Sequence, residues 1–269
     1  MSVQAGKWAD LRLRLLSAGV MVVVAGVDIW LGGLWFLALL ALVAAAMVWE
    51  AARLGGAARG PLRDVALPLS GALAVAGAVW LGAPLGFGVL GAVAAAVFAL
   101  AVQLRLALAF YAFCCLVAAL VLYTLRDIYG IWALLWLVAL VIASDVMGYF
   151  AGRLLGGPKF WPSVSPKKTW SGTVAGWLGA GAVGWLMSGV LAAGSAAGAW
   201  PIALPLFSVV LAFAAQMGDI AESALKRKAG LKDSSSLIPG HGGVLDRFDG
   251  MIGAALLFFP VLFVAVLLA

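Results

Sequence analysis

Apolar runs of about span length, separated by short charged or Gly/Pro-rich intervals, repeat along the chain. Crossing a hydrocarbon layer about 30 Å thick takes about 20 mostly apolar residues in a helix. The pattern therefore predicts nine transmembrane helices, at 15–31, 34–50, 66–81, 85–103, 106–125, 130–152, 172–196, 201–224 and 249–268. Runs such as Leu34–Val48 and Ala254–Leu268 lack period-two alternation, which argues against a barrel. The first run has no small-residue cleavage site and is followed by another span, so it is expected to be retained as a helix. The expected fold class is all-α, a polytopic integral membrane protein.

Composition agrees with the pattern. Of 269 residues, 65% are hydrophobic and 10% charged, against about 45–50% apolar and about 25% charged in soluble domains. A soluble enzyme would lack the polar residues to cover its surface. Cys114 and Cys115 are the only cysteines and adjoin inside an apolar run, so a disulfide scaffold is excluded and both read as helix-core residues.

Charge supplies a check that the span division did not use. With the amino terminus in the cytoplasm, sixteen of the seventeen Lys and Arg residues fall on that side and only Arg126 on the other, as the positive-inside rule requires. The carboxyl terminus then faces outward. Outer connections such as Gly82-Ala83-Pro84 and Gly198–Pro201 are short and nearly chargeless. Two inner segments, 153–171 and 226–247, hold nine of the seventeen basic residues, while 51–64 reads as a Gly/Ala/Arg linker without a motif. Gly172, Gly176, Ala180 and Gly184 form a small-residue ridge suited to close helix packing. The expected organisation is 1–125, five helices for packing, a dimer face or lipid access, and 126–269, four helices with the two basic loops as the catalytic region.

Acidic residues stand out against this background. Asp145, Asp219 and Glu222 fall in the inner ends of apolar spans, where insertion scales charge roughly 2.5–3.5 kcal/mol for a central Asp. Such groups face a bundle interior or a wet cavity. For Asp145 the alternative is a structural ion pair with Arg153. Asp219, Glu222, Ser223 and Lys226 recur at i, i+3, i+4 and i+7, one stripe of a continuous helix. Asp246 and Asp249 are three apart in the first turn of the ninth span. Oxygen donors of this kind suit Mg²⁺, with room for a second cation, whereas one histidine and two remote thiols make zinc implausible. Between the acidic pairs, Lys226–Asp233 and Ser234–Gly243 combine cations suited to phosphate with glycines that permit close backbone approach. Cations alone would equally suit anionic headgroups, but headgroup binding leaves the interleaved carboxylates and the Gly-His-Gly-Gly turn unexplained.

The stretch Ser223-Ala-Leu-Lys-Arg-Lys-Ala-Gly-Leu-Lys-Asp233, followed by Pro239-Gly-His-Gly-Gly-Val-Leu-Asp-Arg-Phe-Asp249, closely resembles the signature of the phosphatidate cytidylyltransferases, or CDP-diacylglycerol synthases. Ser144-Asp145, Tyr149-Phe150-Ala-Gly-Arg153 and Ser165-Pro-Lys-Lys-Thr169 with Gly172 resemble a second block of that family. The resemblance implies a reaction: CTP and phosphatidic acid give CDP-diacylglycerol and pyrophosphate, with Mg²⁺ required. It also implies a homodimer in the plasma (inner) membrane, with the active site facing the cytoplasm and no nucleic-acid partner. Carried onto matching positions, it makes Asp219, Asp246 and Asp249 the metal ligands, and groups them with Lys226 and Arg227 as catalytic. Lys167, Lys168 and Lys232 join Lys226 and Arg227 in gripping phosphates, and Ser165, Thr169, Ser223 and His241 donate or accept hydrogen bonds. Asp145, Glu222, Asp233, Gly242, Gly243 and Arg247 complete the substrate-binding set.

The chemistry is coherent on physical grounds. A phosphate monoester is already an anionic nucleophile near neutral pH, so positioning and charge neutralisation matter more than a general base. His241 is accordingly expected to hydrogen bond or cap its turn. Two other activities use comparable residues: a CTP-dependent kinase of a polyprenol or other lipid alcohol, and an ion-coupled secondary transporter, although no repeated pair of interrupted helices is visible. A CDP-alcohol phosphotransferase fits less well, because Asp246-Arg-Phe-Asp249-Gly250 lacks the Ala-Arg that should follow.

Overall fold

The computed structural model describes residues 2–193 and 204–268, with side chains described from 14 to 193 and from 204 to 262. The described residues form nine α-helices: α1 (Ser2–Leu31), α2 (Gly33–Leu54), α3 (Leu67–Leu81), α4 (Ala83–Leu100), α5 (Arg105–Asp127), α6 (Ile131–Leu154), α7 (Trp170–Ala193), α8 (Leu204–Lys228) and α9 (Leu245–Leu268). A π-type turn at Leu62–Ala66 leads into α3. Eight of these segments are long and apolar enough to cross a membrane. α9 is the ninth helix, and Asp246, Arg247 and Asp249 crowd its first turns. The protein is an all-α polytopic membrane protein. The expected outer connection at Gly198–Pro201, the ends of the seventh and eighth spans beside it, and the side chains of Lys7 and Arg12 lie outside the described residues.

The helices overrun the apolar runs at their polar ends. α1 starts at Ser2, α2 continues through Glu50 and Arg53 to Leu54, and α8 continues through the basic run to Lys228. Backbone bonding persists past the apolar limit because Ala, Leu, Lys, Arg and Glu are good helix formers. A two-stranded antiparallel hairpin, absent from the sequence expectation, occupies part of the first basic segment: β1 (Lys159–Trp161) pairs with β2 (Ser165–Thr169).

Contacts divide the chain into two compact units, Met1–Ala119 with Lys228–Phe248, and Leu120–Arg227 with Asp249–Ala269. The sequence reading grouped all of 226–247 with the later helices, whereas most of that loop clusters with the amino-terminal ones. In the first unit, α2, α3 and α4 pack in succession. Gly71 of α3 lies against Val48, and Gly86 of α4 lies against Ala78. In the second unit α7 packs along α6, and the small-residue ridge makes the contact. A Cβ on Gly172 would stand 2.5 Å from the Gly148 carbonyl oxygen, and one on Gly176 would stand 2.8 Å from that of Ser144. The same ridge meets α8 at Gly184, which abuts Ser208 and Leu204. Trp136, fully buried, stacks on Phe207, meets Phe258 edge-on and donates Nε1 to Ser208 Oγ at 2.9 Å.

Candidate active site

The second unit gathers charge at the end of α8. The predicted stripe exists: Asp219, Glu222, Ser223 and Lys226 lie in one continuous helix. Glu222 is fully buried, and its Oε2 lies 2.6 Å from Lys226 Nζ one turn on. Ser223 Oγ donates to Asp219 Oδ1 at 3.3 Å. Lys168 extends from β2 to place Nζ 2.6 Å from Asp219 Oδ2 and donates to the Gln216 carbonyl at 3.3 Å. Asp249, in the first turns of α9, is in electrostatic range of Asp219, Asp145 and Lys226. Two ammonium groups are thus each held by a carboxylate, with Asp249 and Asp145 as further acids.

Local structure explains how Lys168 reaches this place. Neighbouring residues of a strand point to opposite faces, so Lys168 is half-buried against Asp219 while Lys167 is exposed. Thr169 ends the strand and is buried. Its Oγ1 accepts from Gly172 N at 3.2 Å, satisfying a free amide of the first turn of α7 as a cap does. Ser165 pairs with Trp161 across the hairpin. Arg227 is exposed at the end of α8. Asp145 is exposed on α6, and Arg153, the ion partner weighed for it, instead donates Nη1 to Tyr149 Oη at 2.8 Å.

Gln216 went unnoticed in the sequence. Its Oε1 accepts from Trp177 Nε1 at 3.0 Å, and its Nε2 donates to the Thr173 carbonyl at 3.2 Å and to Ser144 Oγ at 3.3 Å. One buried amide therefore ties α6 and α7 to α8, nearly one turn before Asp219. A lone amide in an apolar run was the available signal.

The first unit organises the loop between α8 and α9 around Glu50 of α2. This carboxylate is fully buried. It accepts from Ser235 Oγ at 2.5 Å, Ser234 Oγ at 3.1 Å, Val244 N at 2.9 Å and Leu245 N at 2.7 Å. The two amides open α9, where a helix favours a negative charge. Asp246 holds the same loop from inside α9. Its Oδ2 accepts from Gly243 N at 2.7 Å, Ser234 Oγ at 2.9 Å and Ser234 N at 3.0 Å. Arg53 Nη1 donates to the Ser234 carbonyl.

The Gly-His-Gly-Gly sequence forms a tight turn. Ile238 N donates to the Gly242 carbonyl at 2.8 Å, and His241 N donates to the Ile238 carbonyl at 2.9 Å. Gly242 has φ +88°, and a Cβ there would stand 2.8 Å from Asp246 Oδ2. Only glycine meets both conditions. His241 Nδ1 lies 2.8 Å from Ser17 Oγ of α1. Lys232, Asp233 and Arg247 are exposed.

Among the described residues, no three His, Cys, Asp or Glu side chains form a metal-holding group. The donor set around Asp219 and Asp249 is nonetheless all oxygen, which fits Mg²⁺, a cation that takes one or two carboxylates and completes its shell with water and phosphate.

The model of the cytidylyltransferase family matches residues 12–265. The chain is 46% identical over 131 residues to phosphatidate cytidylyltransferase of Brucella abortus biovar 1 (strain 9-941), covering 49% of this chain and 47% of that protein. It is 44% identical over 128 residues to phosphatidate cytidylyltransferase of Helicobacter pylori (strain ATCC 700392 / 26695), covering 48% and 46%. It is 44% identical over 115 residues to the chloroplastic phosphatidate cytidylyltransferase 4 of Arabidopsis thaliana, covering 42% and 27%. The match spans about half the length of the bacterial relatives. The chain belongs to the cytidylyltransferase family.

Proposed function

We propose that the protein transfers a cytidylyl group from CTP to phosphatidic acid, releasing pyrophosphate and forming CDP-diacylglycerol. The reaction takes place at the cytoplasmic ends of its helices, in a homodimer in the plasma membrane. The observation that carries this reading is the alternation of Lys168, Asp219, Glu222 and Lys226 at the end of α8. Phosphatidate cytidylyltransferases of about 45% identity over half the chain support it.

Bringing two polyanions together is the main obstacle, since phosphatidic acid needs no deprotonation to attack the α-phosphorus in line. Lys168 and Lys226 are fixed in place by Asp219 and Glu222 before substrate arrives, so they neutralise phosphate charge with little reorganisation. Arg227 and Lys167 are exposed beside them in sequence and reach phosphate oxygens from the water side. The family resemblance assigns phosphate binding to Lys232 and substrate binding to Arg247 as well, both exposed on the loop that Glu50 and Asp246 hold in shape. Ser165, Thr169 and Ser223 supply hydroxyls, and Asp145 and Asp233 orient cations or substrate hydroxyls. Asp219 and Asp249 would hold Mg²⁺, which when bound offsets phosphate charge and polarises the reacting phosphoryl group. Asp246 orders the loop, and His241 caps its turn against Ser17.

The test uses the full chain in detergent with α-labelled CTP and phosphatidic acid. Labelled CDP-diacylglycerol and one pyrophosphate per turnover are expected. Asp219→Asn should lower kcat by about 10²–10³, the scale for removing one transition-state stabiliser, in protein that still inserts and elutes as the parent does. Formation of CDP and a newly phosphorylated lipid alcohol, or ion-driven uptake into vesicles without CTP turnover, would overturn the proposal.

A further inference from the structure

The linker between α2 and α3, which lacks any motif in the sequence, lines a cavity of about 570 Å³ in the first unit. Its walls include Arg53, Arg59, Arg63, Asp64, Ser235 and Ser236. The volume lies within the usual range of small-molecule sites, about 300–1,000 Å³. Three guanidinium groups against one carboxylate leave a formal charge of +2.

The arginines differ in how they are engaged. Arg63 is buried and committed: Nη2 lies 2.5 Å from Asp64 Oδ1, and Nη1 donates to the Ala57 carbonyl at 2.9 Å. Asp64 is itself held by Trp49 Nε1 at 3.0 Å and by Gly60 N at 3.0 Å. That carboxylate is therefore a fixed part of the wall, already matched to Arg63. Arg53 uses Nη1 for the Ser234 carbonyl, leaving Nε and Nη2 without partners among the described residues. Arg59 is exposed and makes no hydrogen bond or ion pair among them. Ser236 is exposed with its hydroxyl likewise unused. The uncommitted groups can thus all donate, two of them as guanidinium forks that match phosphate oxygens two at a time.

We infer that this cavity is a binding site for a phosphate-bearing anion, and that its occupant bears on the loop between α8 and α9. Ser235 is shared by both structures: it lines the cavity and donates to Glu50. Arg53 grips the carbonyl of Ser234, whose amide and hydroxyl Asp246 holds. An anion drawing on Arg53 and Ser236 therefore adds a further tie to the segment that Glu50 and Asp246 already order. The site does not depend on the reaction proposed above. A soluble polyphosphate and a phosphatidate headgroup offer the same chemistry.

Arginine modification by phenylglyoxal, read peptide by peptide by mass spectrometry on the full chain, tests this directly. One arm adds sodium pyrophosphate in a neutral detergent; the other compares bicelles containing phosphatidic acid with bicelles of phosphatidylcholine alone. Modification of Arg59 should slow about tenfold once the anion stands at about ten times its Kd, with Arg105 unaffected. Protection by pyrophosphate identifies a soluble occupant, and protection by phosphatidic acid alone identifies a headgroup. Ser236→Asp, which removes no hydrogen bond of the fold, should abolish protection in either arm. Absence of protection in both arms, equal slowing at Arg105, or protection that survives Ser236→Asp would overturn the inference.

Discussion

Replacing Glu50 with Gln isolates the electrostatic part of its role, because the two side chains have nearly the same shape. In the parent, Oε1 accepts from Ser235 Oγ and Val244 N, and Oε2 accepts from Ser234 Oγ and Leu245 N. Each oxygen therefore faces one hydroxyl and one backbone amide. An amide nitrogen at either position lets the hydroxyl rotate and accept, but sets one N–H against another in a fully buried place. The loss is one backbone hydrogen bond to a charged group, about 1.5–3 kcal/mol, together with a buried donor left unmatched at about 1–3 kcal/mol. Removing the charge beside the first amides of α9 adds about 0.3–1 kcal/mol. Taking about 3 kcal/mol as a low total, local opening of the loop should become about 100-fold more frequent. Amide hydrogen exchange at Val244 and Leu245 of the full chain in detergent reads this directly, with α2 and α3 amides as internal references. Exchange at those two amides within about threefold of the parent would refute the reasoning, since it would correspond to less than about 1 kcal/mol.

Two other perturbations separate scaffold from chemistry. Gly218→Ala puts a Cβ against the Asp249 carbonyl and 3.0 Å from Gly253 Cα, so α8 and α9 must shift; the cost is about 1–3 kcal/mol, to be seen as a lower unfolding midpoint in detergent, and an unchanged midpoint would show that the helices yield freely. Glu222→Gln removes the carboxylate that faces the buried Lys226 ammonium and should destabilise by about 3–5 kcal/mol; adding Lys226→Met should restore much of the midpoint while CTP turnover stays lost, and turnover returning with stability would remove Lys226 from the chemistry.

The spans were legible because a bilayer imposes one dominant requirement, an apolar run of fixed length, and that requirement is local in sequence. The stripe on α8 was legible for a similar reason, since helical spacing converts directly into a shared face. What was not legible depends on distant partners. Glu50 sits before Ala-Ala-Arg at the end of an apolar run and reads as an ordinary boundary charge, yet its partner Ser235 lies 185 residues away. Nothing within a helical turn of Glu50 announces that pairing. The hairpin at Lys159–Thr169 escaped because its strands have three and five residues, too short for a periodicity to register. Gln216 had a visible anomaly, an amide in a span, but its three connections come from neighbouring helices.

Asp246 and Asp249 show where spacing stops being informative. Three residues apart in the first turns of α9, they look equivalent in the sequence as candidate ligands for a cation. The structure distinguishes them by what already occupies their oxygens. Asp246 Oδ2 takes a hydroxyl and two backbone amides from Ser234 and Gly243, and a carboxylate so engaged would give up loop hydrogen bonds to coordinate an ion. Among the described residues the Asp249 side chain accepts one hydrogen bond, from the adjacent amide of Gly250 at 2.7 Å, and it stands among Asp219, Asp145 and Lys226. Asp246→Asn and Asp249→Asn should therefore fail in different ways. The first should raise hydrogen exchange at Gly243 and Ser234 with Mg²⁺ affinity falling only as the loop loosens, and the second should weaken the Mg²⁺ dependence of turnover while leaving those amides protected. Matching loss of protection in both variants would return the two acids to a single role.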